Sequence, residues 1–358
     1  YLDTVYSSRM TRDLAQSADW IASRGNFSDG SVYETSGLFT RASIDLLDSK
    51  ERDLVISGGG RLAHTWIMAP DVPGFGDVDY GLAGGTGTFG LKYVHDRDFL
   101  LYFDFSQGFR PPNLHESTVL GDTGTKYEVP NAELKAIRAD SYEIGTRYRN
   151  EFVRLGLAGF VSRLDGMIDE EDVPESEWAS IGVDESVVGG RRVVRRINAV
   201  SGQYVGAQGN VRVRFPGGFG SWAKLSWIEG SVERVDGDVP ARRVPPAMGF
   251  GGMSYTHPSR RFGLEGFVQF ALEQGRLSPG DLEDIRICPD PLIPGKISED
   301  CQGTPAWYTL NVRGNVVLTR NLIMDISVTN ILNRLYRHHG SGIDARGCGV
   351  MAKLRTSW

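Results

Sequence analysis

The sequence has no long apolar run, no excess of basic residues and few cysteines, and each of these absences excludes some classes of protein. No stretch of the 358 residues approaches the ~18 consecutive apolar residues of a membrane-spanning helix. The formal net charge of -6 argues against a nucleic-acid partner. Residues 1–10 lack the basic segment and apolar core of a signal peptide, and the first residue is not methionine, so we expect a fragment or a processed chain.

Only three cysteines occur. Cys288 and Cys301 flank PDPLIPGKISED, a polar segment containing proline and glycine, which predicts a small disulfide-closed loop formed in an oxidising compartment. Two unrelated thiols are the alternative. Cys348 is left over, and we expect it to be a small residue of a strand.

Glycine is abundant, and many segments alternate between apolar and polar residues with a period of two. The 45 glycines and 16 prolines fall between runs in which apolar and polar residues alternate. In FLLYFDFSQ (99–107) the odd positions through Phe105 are apolar, whereas Asp104 and Ser106 lie on the other face. The same alternation runs through 38–46, 153–162, 222–228 and 324–330, and helical periodicity is nowhere sustained.

The connections between these runs are of two kinds. Some are short, at 95–98, 149–152 and 319–321, and others are long and polar, near 111–140, 165–191, 278–305 and 336–347. Short turns at one end and long loops at the other are typical of an outer-membrane barrel, whose strands need about 10 residues to cross. The polar face carries charged residues, so the interior must hold water or polar protein. A soluble sheet with one face on solvent is the alternative.

The C-terminal run VMAKLRTSW also alternates, and it ends on Trp358. A terminal aromatic residue at the membrane interface is typical of outer-membrane barrels. Chains of this class commonly end in an aromatic residue that the barrel assembly machinery reads. We therefore expect Trp358 to be an assembly signal.

Several segments resemble one family, the TonB-dependent outer-membrane receptors. SQGFRPPNLHE (106–116) resembles the family's strand end G-F-R-A-P-x-L-x-E, and VPNAELKAIRADSYEIGTRYR (129–149) resembles the segment that resumes the barrel. Later segments of the family's barrel are similar to three further parts of the chain: RRVPP (242–246), the two ends of 276–314, and VTNILNRLYRHHGSGIDARG (328–347). They occur in the family's order and cover roughly residues 30–358.

The resemblance implies an all-β fold, an antiparallel transmembrane β-barrel in the outer membrane of a Gram-negative-type bacterium. The family's barrel has 22 strands, and residues 1–358 are expected to supply about 14 of them as the C-terminal portion. The family's plug domain and its TonB-binding segment are not recognisable here. We expect coupling to the TonB complex to depend on an N-terminal region missing from this chain.

The implied function is that of a receptor and transporter for TonB-energised uptake of a scarce nutrient: a ferric siderophore, haem or cobalamin. Expected partners are that ligand, the TonB complex, outer-membrane lipid and the barrel assembly machinery, with no nucleic acid. The alternatives are a passive porin-like channel or a barrel scaffold that docks another protein. No catalytic constellation, metal site or bound cofactor is expected, so an outer-membrane hydrolase is disfavoured.

Ligand contacts are expected in the loops. Arg110 can pair with an anionic ligand or brace Glu116. His115 lies between FRPP (109–112) and PNAEL (130–134), which are imperfect versions of the boxes that flank a haem-ligating histidine in the family's haem receptors. Both boxes also occur in receptors for other ligands. The remaining candidates are Tyr127, Asn131, His338 and His339, of which the two histidines can instead anchor the last loop.

Two charged runs complete the sequence picture. The acidic run DEED (169–172) can attract a cation or form a solvated loop. RRVVRR (191–196) can steer an anion, or place arginines on the lumen side or at the headgroup edge.

Overall fold

The computed structural model describes residues 2–5, 8–12, 20–24, 28–49, 51–72, 74–123, 126–183, 185–198, 201–234, 237–290, 292–293 and 295–357. Trp358, the predicted assembly signal, lies outside them. The strands of the described residues are β1 (Leu2–Val5), β2 (Ser8–Arg12), β3 (Trp20–Arg24), β4 (Ser31–Asp48), β5 (Arg52–Val72), β6 (Gly76–His95), β7 (Phe99–Arg110), β8 (Gly121–Asp122), β9 (Lys126–Val129), β10 (Ile137–Arg149), β11 (Val153–Asp165), β12 (Ile168–Asp172), β13 (Arg192–Asn198), β14 (Gly202–Arg214), β15 (Phe219–Arg234), β16 (Gly237–Pro240), β17 (Met248–Thr256), β18 (Phe262–Ala271), β19 (Trp307–Thr319), β20 (Leu322–Thr329) and β21 (Gly349–Thr356).

Helices in the described residues are short. They are α1 (Leu114–Thr118), α2 (Glu175–Trp178), α3 (Glu185–Val188) and α4 (Pro279–Leu282), with 3₁₀ turns at Ala179–Ile181 and Pro216–Gly218. In the part of the chain that the structure describes, no helix has the length and apolar character required to cross a bilayer.

One antiparallel sheet contains most of the chain. Its strands follow the order β1-β4-β5-β6-β7-β10-β11-β14-β15-β17-β18-β19-β20-β21, and β16 pairs with β15. Neighbours in this sheet are also neighbours in sequence once the loop strands are set aside, which is the connectivity of an up-and-down barrel wall. The predicted all-β antiparallel architecture is confirmed, and the described sheet does not close on itself.

Alternation gives the sheet two chemically different faces. The outer face presents exposed apolar side chains such as Leu101, Ile144 and Leu157. The inner face carries Asp104 and Glu143, which are paired in register on β7 and β10. A continuous exposed apolar face of this kind requires an apolar surrounding such as lipid hydrocarbon.

Close packing on the inner face depends on a glycine. Tyr102 on β7 is in register with Gly145 on β10, and its hydroxyl donates a hydrogen bond to Glu143 at 2.6 Å. A Cβ atom at position 145 would lie 2.4 Å from the Tyr102 ring. Only glycine therefore lets the tyrosine ring lie across the neighbouring strand.

The two ends of the sheet differ in their connections. At one end the turns are short, as between β6 and β7, where Asp96 and Arg97 adopt the positive φ values of 50° and 59° typical of a tight hairpin. At the other end, which we call the long-loop end, lie the long connections 111–136, 166–201, 235–247, 272–306 and 330–348, and the β5–β6 hairpin also turns there. The first is shorter than the expected 111–140 because β10 begins at Ile137. The second extends past 191 because residues 192–198 form a strand of the loop itself.

Two of the long loops fold together into a unit that we call the loop cap, residues 121–129 and 168–198. Its sheet has the order β12-β13-β9-β8, and β9 from the first loop pairs in parallel with β13 from the second. An apolar core lies between the cap and the β5–β6 hairpin, and both contribute residues to it. That core contains Ala69, Val72, Val78, Leu120, Tyr127, Val129, Val173, Val183, Val188 and Val193.

Candidate functional site

Three arginines converge on one buried carboxylate at the long-loop end. The side chain of Asp284 is only 3 % exposed. It accepts hydrogen bonds from Arg243 Nη2 at 2.6 Å, from Arg286 Nε and Nη2 at 2.8 and 2.7 Å, and from Arg242 Nη2 at 3.4 Å. We call Arg242, Arg243, Arg286 and Asp284 the arginine cluster.

Local backbone structure holds Asp284 in place. Ser278 and Asp281 form a capping box at the start of α4, in which Ser278 Oγ accepts from the Asp281 N–H and the Asp281 carboxylate accepts from the Ser278 N–H. Asp281 also accepts from the Arg243 N–H at 3.0 Å. Through this hydrogen bond α4, which lies just before Asp284 in the 272–306 loop, connects that loop to the RRVPP segment (242–246).

A disulfide closes the part of this loop that follows the cluster. Cys288 and Cys301 are joined, with Cα atoms 5.3 Å apart. The remaining cysteine, Cys348, is exposed and lies one residue before β21 rather than in a strand, because its N–H donates to Asn333 Oδ1 at 2.9 Å. The expectation of a strand position for Cys348 was therefore wrong.

The arginine cluster has more donors than Asp284 can accept. Each guanidinium carries five N–H donors, and the three together make four hydrogen bonds to Asp284. The arginine side chains are about half exposed, at 54 %, 42 % and 43 %. Asp284 accepts from all three guanidinium groups, Asp281 accepts from the Arg243 backbone N–H, and Arg242 also lies within electrostatic range of Glu170. The cluster therefore presents preorganised, half-exposed guanidinium donors that suit an anion.

The last loop packs against the same cluster. A Cβ atom at Gly340 would lie 3.7 Å from Arg243, and one at Gly342 would lie 3.4 Å from Arg286. His339 Nδ1 is 2.9 Å from Thr304 Oγ1, and His338 packs edge-on against Trp307 at 5.0 Å. Both histidines thus anchor the last loop beside the cluster.

His339 should make the last loop sensitive to pH. Burial lowers the pKa of His339 and outweighs the opposing effect of the Asp281 charge. A lowered folded-state pKa means that the associated stability is present above the unfolded value of about 6.5 and is lost as pH falls through the folded pKa. We expect backbone amides of 336–347 to exchange faster at pH 5.5 than at pH 7.5, after correction for intrinsic rates. His339→Gln should remove this difference; an unchanged difference in the variant would contradict the assignment.

Arg110 and Glu116 pair with each other. Arg110 Nη1 and Nη2 donate to the Glu116 carboxylate at 2.9 and 3.1 Å. Glu116 also accepts from the Asn113 N–H at 2.9 Å, as part of the capping box that begins α1. The arginine therefore braces the start of the first loop. His115 is partly exposed on the same short helix.

Tyr127 and Asn131 have structural positions in the loop cap region. Tyr127 is only 7 % exposed and packs in the cap core. Asn131 Nδ2 donates to the Arg196 carbonyl at 2.7 Å, and Asn131 Oδ1 accepts from the Glu133 N–H at 2.9 Å. Among the described residues, no group of three or more His, Cys, Asp or Glu side chains could hold a metal ion.

The two charged runs of the sequence pair with each other. DEED lies on β12 and RRVVRR largely on β13, with Glu170 opposite Arg196 and Glu171 opposite Arg195. The acidic run is thus neither a solvated loop nor a free cation site. The arginines are likewise ion-paired within the cap rather than placed on the barrel wall.

The ionic network is centred on Arg196 and contains one buried carboxylate, that of Glu128, which is 4 % exposed. Arg196 bridges Glu128 at 3.0 Å and Glu170 at 2.9 Å, and Lys126 also pairs with Glu170. Burial alone would raise the pKa of Glu170, but the hydrogen bond from Lys126 and the charge of Arg196 lower it overall. The network therefore holds two loops together through ionised groups.

These features define an antiparallel sheet of the kind that forms the wall of a membrane barrel, with folded loops and an arginine cluster at one end. The family model described as TonB dependent receptor-like, beta-barrel matches residues 2–331. The chain belongs to this family, whose members are outer-membrane barrels of Gram-negative bacteria.

Similar proteins fall into two groups. Among curated proteins, Hemoglobin-binding protein A of Haemophilus influenzae is 24 % identical over 266 residues, covering 70 % of this chain and 24 % of that protein. Hemoglobin-haptoglobin utilization protein B of Neisseria meningitidis serogroup C is 23 % identical over 219 residues, covering 57 % and 27 %. The matched region thus spans about a quarter of each relative's length.

Solved structures show the same fold. The copper transporter OprC superimposes with a TM-score of 0.67 at 16 % identity, covering 92 % of this chain and 49 % of that one. The Serratia marcescens hemophore receptor HasR, in complex with its hemophore HasA and heme, gives 0.64 at 16 % identity, covering 94 % and 53 %.

Proposed function

We propose that residues 1–358 form the C-terminal portion of the barrel of an outer-membrane receptor and transporter that imports a scarce nutrient with energy from the TonB complex. The arginine cluster is the single observation that carries the choice of ligand chemistry. A ferric siderophore or haem, with acidic oxygens, suits that surface better than a neutral ligand. The names of the relatives, which refer to haemoglobin, and of the copper and haem receptors of the same fold support metal-linked nutrients as the class.

The proposed mechanism begins with electrostatic capture. The exposed guanidinium groups at the outer opening attract an anionic ligand and raise its association rate. The free N–H groups of Arg242 and Arg286 then bind its oxygens in paired hydrogen bonds. Asp284 is a positioning residue because it holds the three guanidinium groups close together. Force from the TonB complex then opens the path through the barrel, without covalent chemistry.

Neutralising two arginines should weaken capture without unfolding the barrel. In the full-length protein, Arg242→Gln with Arg286→Gln is expected to reduce binding and initial uptake of haemin or a ferric tricatecholate by about tenfold or more, since a hydrogen bond to a charged group contributes about 1.5–3 kcal/mol. The measurement is uptake of each labelled probe by cells, with binding to the purified receptor. Arg355→Gln is the matched control, because Arg355 pairs with Asp325 near the short-turn end.

Energy dependence separates this function from its alternatives. Uptake by the wild-type receptor is expected to stop when TonB is removed or the proton gradient is collapsed. Uptake that continues under either condition would indicate a passive channel. Binding without any uptake would indicate a scaffold, and equal binding by the double variant and the wild type would remove the arginine cluster from the mechanism.

A further inference from the structure

The outer face of five adjacent strands, β7, β10, β11, β14 and β15, changes character along its length. Residues paired in register form rows across these strands. Two rows are largely apolar: Leu101–Thr146–Leu157–Gly209–Leu225 and Phe103–Ile144–Gly159–Ala207–Trp227. Four residues nearer the long-loop end, the row is entirely polar: Gln107–Asp140–Arg163–Gln203–Ser231.

Each region contains a concave space. Over the apolar rows lies a groove of about 780 Å³, which we call the apolar groove. The small residues Gly159, Ala207 and Gly209 form part of its lining, between large side chains such as Leu157 and Trp227. Beyond it lies a polar pocket of about 730 Å³, whose charged lining consists of Arg138, Asp140, Arg163, Asp165, Glu233 and Asp238.

The apolar groove and the polar pocket are separated along the strands in the way that the acyl chains and the headgroup of a lipid are separated. Strand rise is about 3.3 Å per residue, so the polar row lies about 13 Å along the strands from the row that begins at Phe103. The row between them, Phe105–Tyr142–Val161–Val205–Glu229, is apolar on four of its five strands. In a membrane barrel the apolar rows lie at the depth of the hydrocarbon, and the first polar row beyond them lies at the depth of the headgroups. The groove and the pocket therefore share one set of strands at two successive depths.

The two arginines of the polar pocket, Arg138 and Arg163, have no side-chain partner in the part of the chain that the structure describes. Arg163 stands opposite Asp140 in register, and Arg138 stands opposite Asp165. Within the described residues, neither guanidinium makes a side-chain hydrogen bond or ion pair, and Asp140 accepts from Gln107 Nε2 at 3.0 Å instead. Both guanidinium groups thus keep their full donor sets, which suit phosphate oxygens.

We propose that the apolar groove and the polar pocket form one binding site for a phosphorylated lipid of the outer leaflet. Its acyl chains lie along Gly159 and Ala207, and its phosphate is bound by Arg138 and Arg163. Carboxylates outnumber arginines in the pocket, so a divalent cation bridges the phosphate to Asp165 and Glu233; Mg²⁺ is commonly bound by one or two carboxylates together with phosphates. The site depends on the outer-membrane location in the proposed function and on no property of the imported nutrient.

The test is a lipid titration of the purified, delipidated full-length protein in detergent. The probe is hexa-acylated diphosphoryl lipid A with Mg²⁺, followed by native mass spectrometry and by a fluorescent-lipid binding curve. The variants are Arg138→Gln with Arg163→Gln, and Ala207→Phe, which fills the groove with a side chain that hydrocarbon tolerates. Arg214→Gln is the matched control, because Arg214 lies at the short-turn end of β14, away from the pocket.

We expect the double arginine variant to raise the dissociation constant about tenfold or more, in line with the loss of two arginine–phosphate contacts. Ala207→Phe should weaken binding of lipid A but not of its deacylated headgroup, removal of Mg²⁺ should weaken binding to the wild type, and Arg214→Gln should change nothing. Heat-modifiable gel migration verifies that each variant retains its barrel. Binding within twofold of wild type by the double arginine variant, or equal binding of a phosphate-free lipid, would overturn the proposal. Normal lipid binding with absent nutrient uptake would instead count against the proposed transport function alone.

Discussion

Asp284→Asn is expected to disorder the arginine cluster and to expose the 272–306 loop. Asp284 is the buried anion that three guanidinium groups share, and asparagine keeps its shape but removes its charge. Breaking a fully buried ion pair costs about 3–5 kcal/mol. Because these arginines are about half exposed and therefore screened by solvent, we expect a smaller loss, about 2 kcal/mol, in the free energy of opening this loop.

Amide hydrogen exchange of residues 272–306 measures that free energy directly, and limited proteolysis of the same loop gives an independent reading. Glu299→Gln is the control, because Glu299 is 89 % exposed and its pair with Lys296, which is 51 % exposed, is 3.6 Å long. Equal protection in Asp284→Asn and Glu299→Gln would show that the shared carboxylate does not organise the loop.

Arg196→Met is expected to unfold the loop cap while leaving the barrel wall intact. Arg196 is the common partner of Glu128 and Glu170, and the side chain of Glu128 is only 4 % exposed. Removing the arginine leaves a buried carboxylate without its cation, for which losses of about 3–5 kcal/mol are typical. The loss should appear as faster amide exchange in β9, β12 and β13, with unchanged exchange in β10 and β11.

The same strand supplies a matched control for this experiment. Arg192 pairs with Asp172 at 2.8 Å, but both side chains are more than half exposed, at 60 % and 65 %. Exposed pairs contribute about 0–1 kcal/mol, so Arg192→Met should have little effect. If the two variants behave alike, the cap is stabilised by its valine core rather than by the buried charges.

The barrel wall was predictable because its signal is local. Two-residue alternation follows directly from a strand with one face on hydrocarbon, and the short turns at 95–98 and 149–152 coincide with real hairpins. A bulge was not predictable in this way. On β4 the register shifts between Asp45 and Leu47, so the alternation inferred through Leu46 breaks there and both Leu46 and Leu47 are exposed.

The loops were harder to predict because their structure depends on remote segments. The charged runs at 169–172 and 191–196 were both visible, but nothing in either run alone indicates that they are complementary strands of one sheet. Arg110 and Glu116 are close in sequence, so their pairing is one of the two roles that the sequence predicts for Arg110. The arginine cluster joins 242–243 to 284–286, and no pattern within either segment predicts that meeting. Tyr127 shows the same limit, because its burial depends on valines from another loop.

The parallel pairing of β9 with β13 has a consequence for the order of assembly. β9 belongs to the connection between β7 and β10, whereas β13 belongs to the connection between β11 and β14. The two segments become neighbours only after those four wall strands have been placed side by side, because contacts between distant segments must wait for the chain to close the distance. We therefore expect the cap to mature after β7, β10, β11 and β14 have paired and not before them, so that the roof over these strands is completed later than the strands themselves.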